Sequence, residues 1–143
     1  MTALELMQAA RETILLESNW VQGTAARDKM GLAVWPDHPE AACWCITGAI
    51  NKVVRPEEKR MGKTLAPLHR HVMGVVAGAL PEDCDTAYPY DVQKLVAFND
   101  SRTHAEVIAL FDRAIAADHT CESYNSFSAD TNYCKHCGVN MDD

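Results

Sequence analysis

Residues 37–56 read DHPEAACWCITGAINKVVRP, and the period assigned to their apolar positions decides how helical this chain is. Ala42, Cys45, Ile46, Ala49, Ile50 and Val53 recur at the i, i+3, i+4, i+7 intervals that gather side chains on one helix face. Asp37-His38-Pro39-Glu40 carries a helix-start signal, since proline is tolerated in a first turn. Arg55-Pro56 carries a stop, because the residue before a proline is pushed out of the α region. The spacing therefore predicts a helix that begins near Pro39 and ends near Val54.

The same pattern extends in both directions. Toward the N-terminus, Thr2 and Glu5 have capping-box spacing, and Leu4, Met7, Ala10, Ile14 and Leu15 continue a helical stripe to Ser18. Between the two helices, residues 20–25 and 32–35 flank the polar turn Arg27-Asp28-Lys29-Met30-Gly31 and read as a small β-hairpin. Toward the C-terminus, residues 56–63 are charged and read as a solvated connection or a frayed turn. A third helix follows Pro67, with Leu68, Val72, Val75, Val76 and Ala79 on one face until Pro81. Its small residues Gly74, Gly78 and Ala79 would let another backbone approach. Residues 81–89 read as a loop, and 90–99 as a short helix or strand. Thr103 and Glu106 form another capping box, after which Val107, Leu110, Phe111, Ala114 and Ile115 define a last helix ending near Ala117.

The expected fold is mostly α: a compact bundle of four to five helices with one small hairpin over residues 1–117. Trp20, Trp35 and Trp44 are expected to fill the space between hairpin and helices. Residues 118–143 are different, being rich in Ser, Asn, Thr, Tyr and Cys and nearly free of aliphatic side chains, so they cannot build a core unaided. HTCESYNSFSADTNYCKHCG (119–138) holds three of the six cysteines and two of the six histidines. Cys134-Lys135-His136-Cys137-Gly138 has the form of a zinc knuckle, in which two intervening residues let both sulfurs face one ion. His119 and Cys121, two apart, share a face of an extended segment and complete a tetrahedral set with Cys134 and Cys137. Cys84 or His136 are alternatives to His119 as the fourth ligand. A closed set of four ligands makes one structural Zn2+ site, with no open position for catalysis.

The 143 residues, 48% hydrophobic and 23% charged, are a globular composition, and a formal charge of −7 disfavours binding to phosphate backbones. MTALELMQAARETILLESNW has no uninterrupted apolar region of signal-peptide type, and no run in the chain has the length a membrane helix requires. A soluble, cytoplasmic protein with reduced or metal-bound cysteines is expected. A Cys43 or Cys45 nucleophile with His69, His71 or His104 as base is conceivable, but Cys45 sits on the apolar stripe, where a free cysteine is ordinarily a small buried side chain. The chain has no glycine-rich phosphate loop, nucleophile elbow or HExxH motif.

NWVQGTAARDKMG, ACWCITGAI and VAFNDSRTHAEVIALFDRAI, taken in order, resemble a family of small bacterial and phage proteins known only as a domain of unknown function. The resemblance covers residues 3–117. It rests on Trp20, Gln22, Gly23, Trp44, Cys45, Gly48, Ala49, Asn99, Asp100, Arg102, Thr103, Glu106 and Val107. It implies no activity and provides no histidine partner for Cys45; the knuckle would be an added module. Two accounts of the motif residues are open. In the structural one, Thr103 and Glu106 cap the last helix, Asn99 and Asp100 form the turn before it, Arg102 pairs with Asp100 or Asp112, and Gly48 permits close packing. In the functional one, Trp20, Gln22, Asn99, Asp100 and Arg102 converge on a polar pocket walled by Trp44 and Cys45 that takes a small ligand such as a nucleotide or metabolite. A non-enzymatic protein that binds another protein, a host protein if the setting is a phage, is the leading expectation. A small-ligand binder or small enzyme follows, and a zinc-knuckle nucleic-acid regulator comes last.

Overall fold

The computed structural model describes residues 1–84, 87–118, 123–124 and 133–134 of the chain. Among these, the protein is mostly helical, with α1 (Ala3–Thr13), α2 (Ile46–Met61), α3 (Ala66–Gly78), α4 (Asp91–Ser101) and α5 (His104–Ala117). Strands β1 (Ala26–Asp28) and β2 (Ala41–Trp44) form a two-stranded antiparallel sheet between α1 and α2. Beyond α5 in sequence, β3 (Ser123–Tyr124) pairs antiparallel with β4 (Tyr133–Cys134).

Helix α1 starts as its sequence dictates. The Thr2 hydroxyl accepts from Glu5 N and the Glu5 carboxylate accepts from Thr2 N, which satisfies two donors at the helix start and holds the Glu5 carboxyl below its usual range. Leu6, Met7, Ala10 and Ile14 are fully buried. The helix stops at Thr13, short of the expected Ser18, and a single 3-10 turn over Glu17–Asn19 leads on to Trp20.

The 37–56 stretch is divided between two structures. Residues expected to open a helix form a strand instead, with Ala26 opposite Trp44, Arg27 opposite Cys43 and Asp28 opposite Ala41. Asp37-His38-Pro39-Glu40 makes the turns before that strand: His38 N donates to Trp35 O, Ala41 N to His38 O, and Glu40 N to His38 Nδ1. The expected hairpin turn exists, closed by Asp28 N to Leu32 O and Val34 N to Ala26 O, but the longer partner of β1 is β2. Trp35 corrects another expectation, since it is 76% exposed and fills no interior space, whereas Trp44 is buried and Trp20 packs against the core.

Helix α2 begins after Cys45 and passes through Pro56 to Met61. Pro56 removes the N–H that would bond the carbonyl one turn earlier, but it lies on the exposed side of the helix, where water can replace that donor. Gly62, at φ 67°, ends the helix in the left-handed conformation. The Glu58 carboxylate then accepts from Leu65 N at 2.8 Å and Thr64 Oγ1 at 3.1 Å, joining the end of α2 to the start of α3. Those bonds, the Leu65 N–H foremost, hold its carboxyl below the usual range.

Helix α1 packs on α2 and α5, and α3 on α4 and α5, enclosing one core of Leu6, Met7, Ile46, Ile50, Val76, Leu95, Phe98, Leu110 and Phe111 among others. The close backbone approach expected at Gly74 and Gly78 occurs elsewhere. Space around Gly78 is open, whereas a Cβ on Gly48 would overlap the carbonyl oxygen of Ala25. No helix among the described residues is long and apolar enough to cross a membrane.

Candidate functional site

The carboxamide of Asn99, fully buried in the last turns of α4, is the centre of the polar arrangement. Its Oδ1 accepts from Trp20 Nε1 at 2.8 Å and from Ile46 N at 3.1 Å. Its Nδ2 donates to Val21 O at 3.0 Å and to Asp100 Oδ1 at 3.3 Å. An asparagine side chain has two donor hydrogens and one carbonyl acceptor with two lone pairs, so this amide is fully engaged. Ile46 is the first residue of α2 and its N–H has no partner within the helix. Asn99 thus caps α2 from a different helix while fixing the segment that enters the sheet.

Gln22 and Asp100 tie the same segment to the end of α4. Gln22 Nε2 donates to Asn99 O and to Arg102 O, both at 3.0 Å, and Gly23 N donates to Asp100 Oδ1 at 2.9 Å. Gly23 has φ 84°, a region that side chains disfavour, which suits a glycine to this tight docking. Asn99 and Asp100 therefore belong to α4 itself and not to a turn before α5. Trp44, whose backbone bridges to Trp20, donates from Nε1 to Pro36 O at 2.8 Å and has Lys52 Nζ 5.3 Å from its ring centroid.

Cys45 is the N-cap of α2 and is buried; its sulfur accepts from Gly48 N and lies 3.3 Å from Thr47 Oγ1. These contacts satisfy a helix end. Arg102 pairs with Glu106 at 3.0 Å and Asp83 at 3.3 Å, in place of the expected Asp100 or Asp112, and its guanidinium stacks 5.2 Å from the Phe98 ring centroid. The Glu106 carboxylate beside it raises the Arg102 pKa further, and Arg102 in turn holds Glu106 below the usual range. Asp112 is bound by Arg11 at 2.7 Å. As expected, Thr103 and Glu106 form the capping box of α5.

One contributor escapes a sequence reading. His104, in the first turn of α5, is partly buried; its Nε2 is 2.7 Å from Ile14 O and its ring stands 5.6 Å from that of Trp20. It joins α5 to the end of α1. His69 meets Asn51 Oδ1 at 2.9 Å, and burial pushes its pKa down.

Trp20, Gln22, Asn99 and Asp100 thus converge, but on one another and on backbone groups. No buried side-chain nitrogen or oxygen among the described residues lacks a hydrogen-bond partner. A separate open groove lies on the outward half of α4, with Tyr88, Val92, Gln93 and Val96 in its lining, and of the proposed ligand residues it includes Asp100 alone. The described residues hold no cluster of three or more His, Cys, Asp or Glu side chains arranged for a metal. His119, Cys121, His136 and Cys137 lie outside the described residues. Cys134 ends β4, where its backbone is opposite Ser123, and Cys84 packs at the edge of the core.

The model of the family of unknown function DUF6197 matches residues 1–117. The chain belongs to this family. No curated protein and no solved structure matches it. The matched portion of this DUF6197 member contains all five helices and every residue of the Asn99 arrangement.

Proposed function

We propose that this DUF6197 member is a non-enzymatic binding or regulatory protein of the cytoplasm whose partner is another protein, with a structural zinc ion in its C-terminal tail. The observation that carries this reading is the saturated Asn99 carboxamide. The polar residues best suited to hold a small ligand already bond one another and the backbone, so a ligand entering there would have to break those bonds. Large apolar side chains, by contrast, stand in water at Leu16, Met61 and Tyr90, the kind of surface that protein partners cover.

The β3–β4 pairing supports the zinc component. A ladder of two residues per strand, in a segment nearly free of aliphatic side chains, is too short to stand alone. A metal held by Cys134 and Cys137 with Cys121 and His119 supplies the missing folding free energy. The resemblance to bacterial and phage proteins adds a setting in which the partner is a host protein and this chain modulates it.

A thermal-shift screen against nucleotides and common metabolites tests the choice between protein partner and small ligand. A flat response is expected. A compound that raises the melting temperature of the wild type, but not of Gln22→Ala, would establish the ligand reading in its place.

A further inference from the structure

The connection after β1 is built to hold apolar side chains in water. Asp28 Oδ1 accepts from Met30 N at 2.9 Å and Leu32 N at 3.0 Å, and Gly31 N returns to Asp28 O at 3.0 Å. Arg27 Nη1 donates to Gly31 O at 2.8 Å, and Gly31 takes φ 84°, the left-handed conformation that such a turn requires. Yet Met30 and Leu32 on this fixed turn are 84% and 66% exposed, and Trp35 shortly after it is 76% exposed. Lys29 beside them is also exposed. A flexible loop would lose backbone freedom on docking; this turn has already lost it, so only the side chains of Met30, Leu32 and Trp35 remain to be ordered.

The outward half of α4 carries an open groove. Tyr88, Val92 and Val96 recur every fourth residue and are each at least two-fifths exposed, forming the apolar strip of the groove described above. Asp100 lies at the end of that strip, with one carboxylate oxygen engaged by Gly23 N. The projection therefore carries a cation beside aromatic and aliphatic anchors, and the groove carries an anion beside an apolar strip. These two surfaces belong to different parts of the chain, and their side chains stand exposed within a single copy.

The geometry points to a second copy of this chain as the occupant of the α4 groove: the Met30–Leu32–Trp35 projection of one protomer enters the Tyr88–Val92–Val96 strip of the next, with Lys29 facing Asp100. Such an interface is heterologous, since each protomer gives a projection on one side and a groove on the other, and it grows head to tail unless the rotation closes a ring. One projection in one groove is small beside a standard protein interface, so association is weak and rises with concentration.

Sedimentation velocity on the full chain tests this, with two double variants: Leu32→Ser/Trp35→Ser in the projection and Val92→Ser/Val96→Ser in the groove. All four positions are exposed, and circular dichroism checks that both variants fold. The wild type should sediment faster as concentration rises, and each variant alone should remain monomeric. Mixed in equal amounts, the variants should form a 1:1 pair and stop there, because only one intact projection and one intact groove remain to meet. A wild type that is monomeric up to about 1 mM, the weakest affinity that counts as association, overturns the proposal. So does a variant that still self-associates, or a mixture that stays monomeric while the wild type does not.

Discussion

Asn99→Ala should lower stability by about 3–5 kcal/mol, because one buried and two partly buried partners lose their bond at once and each unsatisfied group costs about 1–3 kcal/mol, partly relieved by water. Trp20 Nε1 and Ile46 N lose their acceptor, and Val21 O loses its donor. For a chain of this length that corresponds to about 10–20 °C in melting temperature, read by circular dichroism or calorimetry. Asp100→Ala provides the contrast. Asp100 is exposed and gives up its bonds to Gly23 N and to Asn99 Nδ2, which keeps Val21 O, so the expected cost is about 1 kcal/mol. Similar small losses for both variants would mean that the carboxamide is not what joins α4, α2 and the segment entering the sheet.

Gly48→Ala should also be strongly destabilising, against the usual preference. In an ordinary helix interior this substitution stabilises by about 1 kcal/mol. Here the new Cβ would overlap Ala25 O, a backbone atom that itself accepts from Cys45 N at 3.1 Å. Relief requires moving either the start of α2 or the chain entering β1, and with it the bond that continues their ladder. A cost of about 3 kcal/mol or more is expected, at the upper end for overpacked sites. Gly78→Ala on α3, where nothing lies within 4 Å, should be neutral or slightly stabilising. Urea unfolding of the two variants side by side checks the sign, and a Gly48→Ala protein as stable as wild type would refute the close approach.

These two positions show how far the sequence could be read. The capping boxes at Thr2 and Thr103 are local devices, set by residues three apart, and α1 and α5 begin where those devices place them. The Ala41-to-Trp44 region reads as helix in sequence and is strand in the structure, for a physical reason. A run as short as Ala-Ala-Cys-Trp fits one helical turn as well as a strand, and the choice is made by pairing with Ala26–Asp28, distant in sequence. Pro56 reads as a stop because sequence does not reveal that it faces water, where a helix tolerates the missing donor. Gly48 was legible as a site of close packing, but its partner Ala25 was not.

The polar centre follows the same division. Trp20, Gln22, Asn99 and Asp100 were recognisable as residues with a shared role, and the structure brings them together. Residue types alone could not say whether their donors and acceptors face one another or a cavity, because that depends on the separation of α4 from the Trp20–Gly23 segment. The Arg102–Glu106 pair, four residues apart across the start of α5, was within reach of a sequence reading, whereas its second partner Asp83 required the fold. His104 was missed because its acceptor, Ile14 O, is a backbone atom just past the end of α1, distant in sequence.

Native mass spectrometry of the untagged chain, with and without a strong chelator, tests at once whether the tail holds a structural metal and whether the polar centre is closed to ligands. One zinc per chain is expected, removed by the chelator, with no retained organic molecule. A folded chain with no metal would contradict the zinc assignment, and a bound organic mass that disappears in Gln22→Ala would contradict the closed centre.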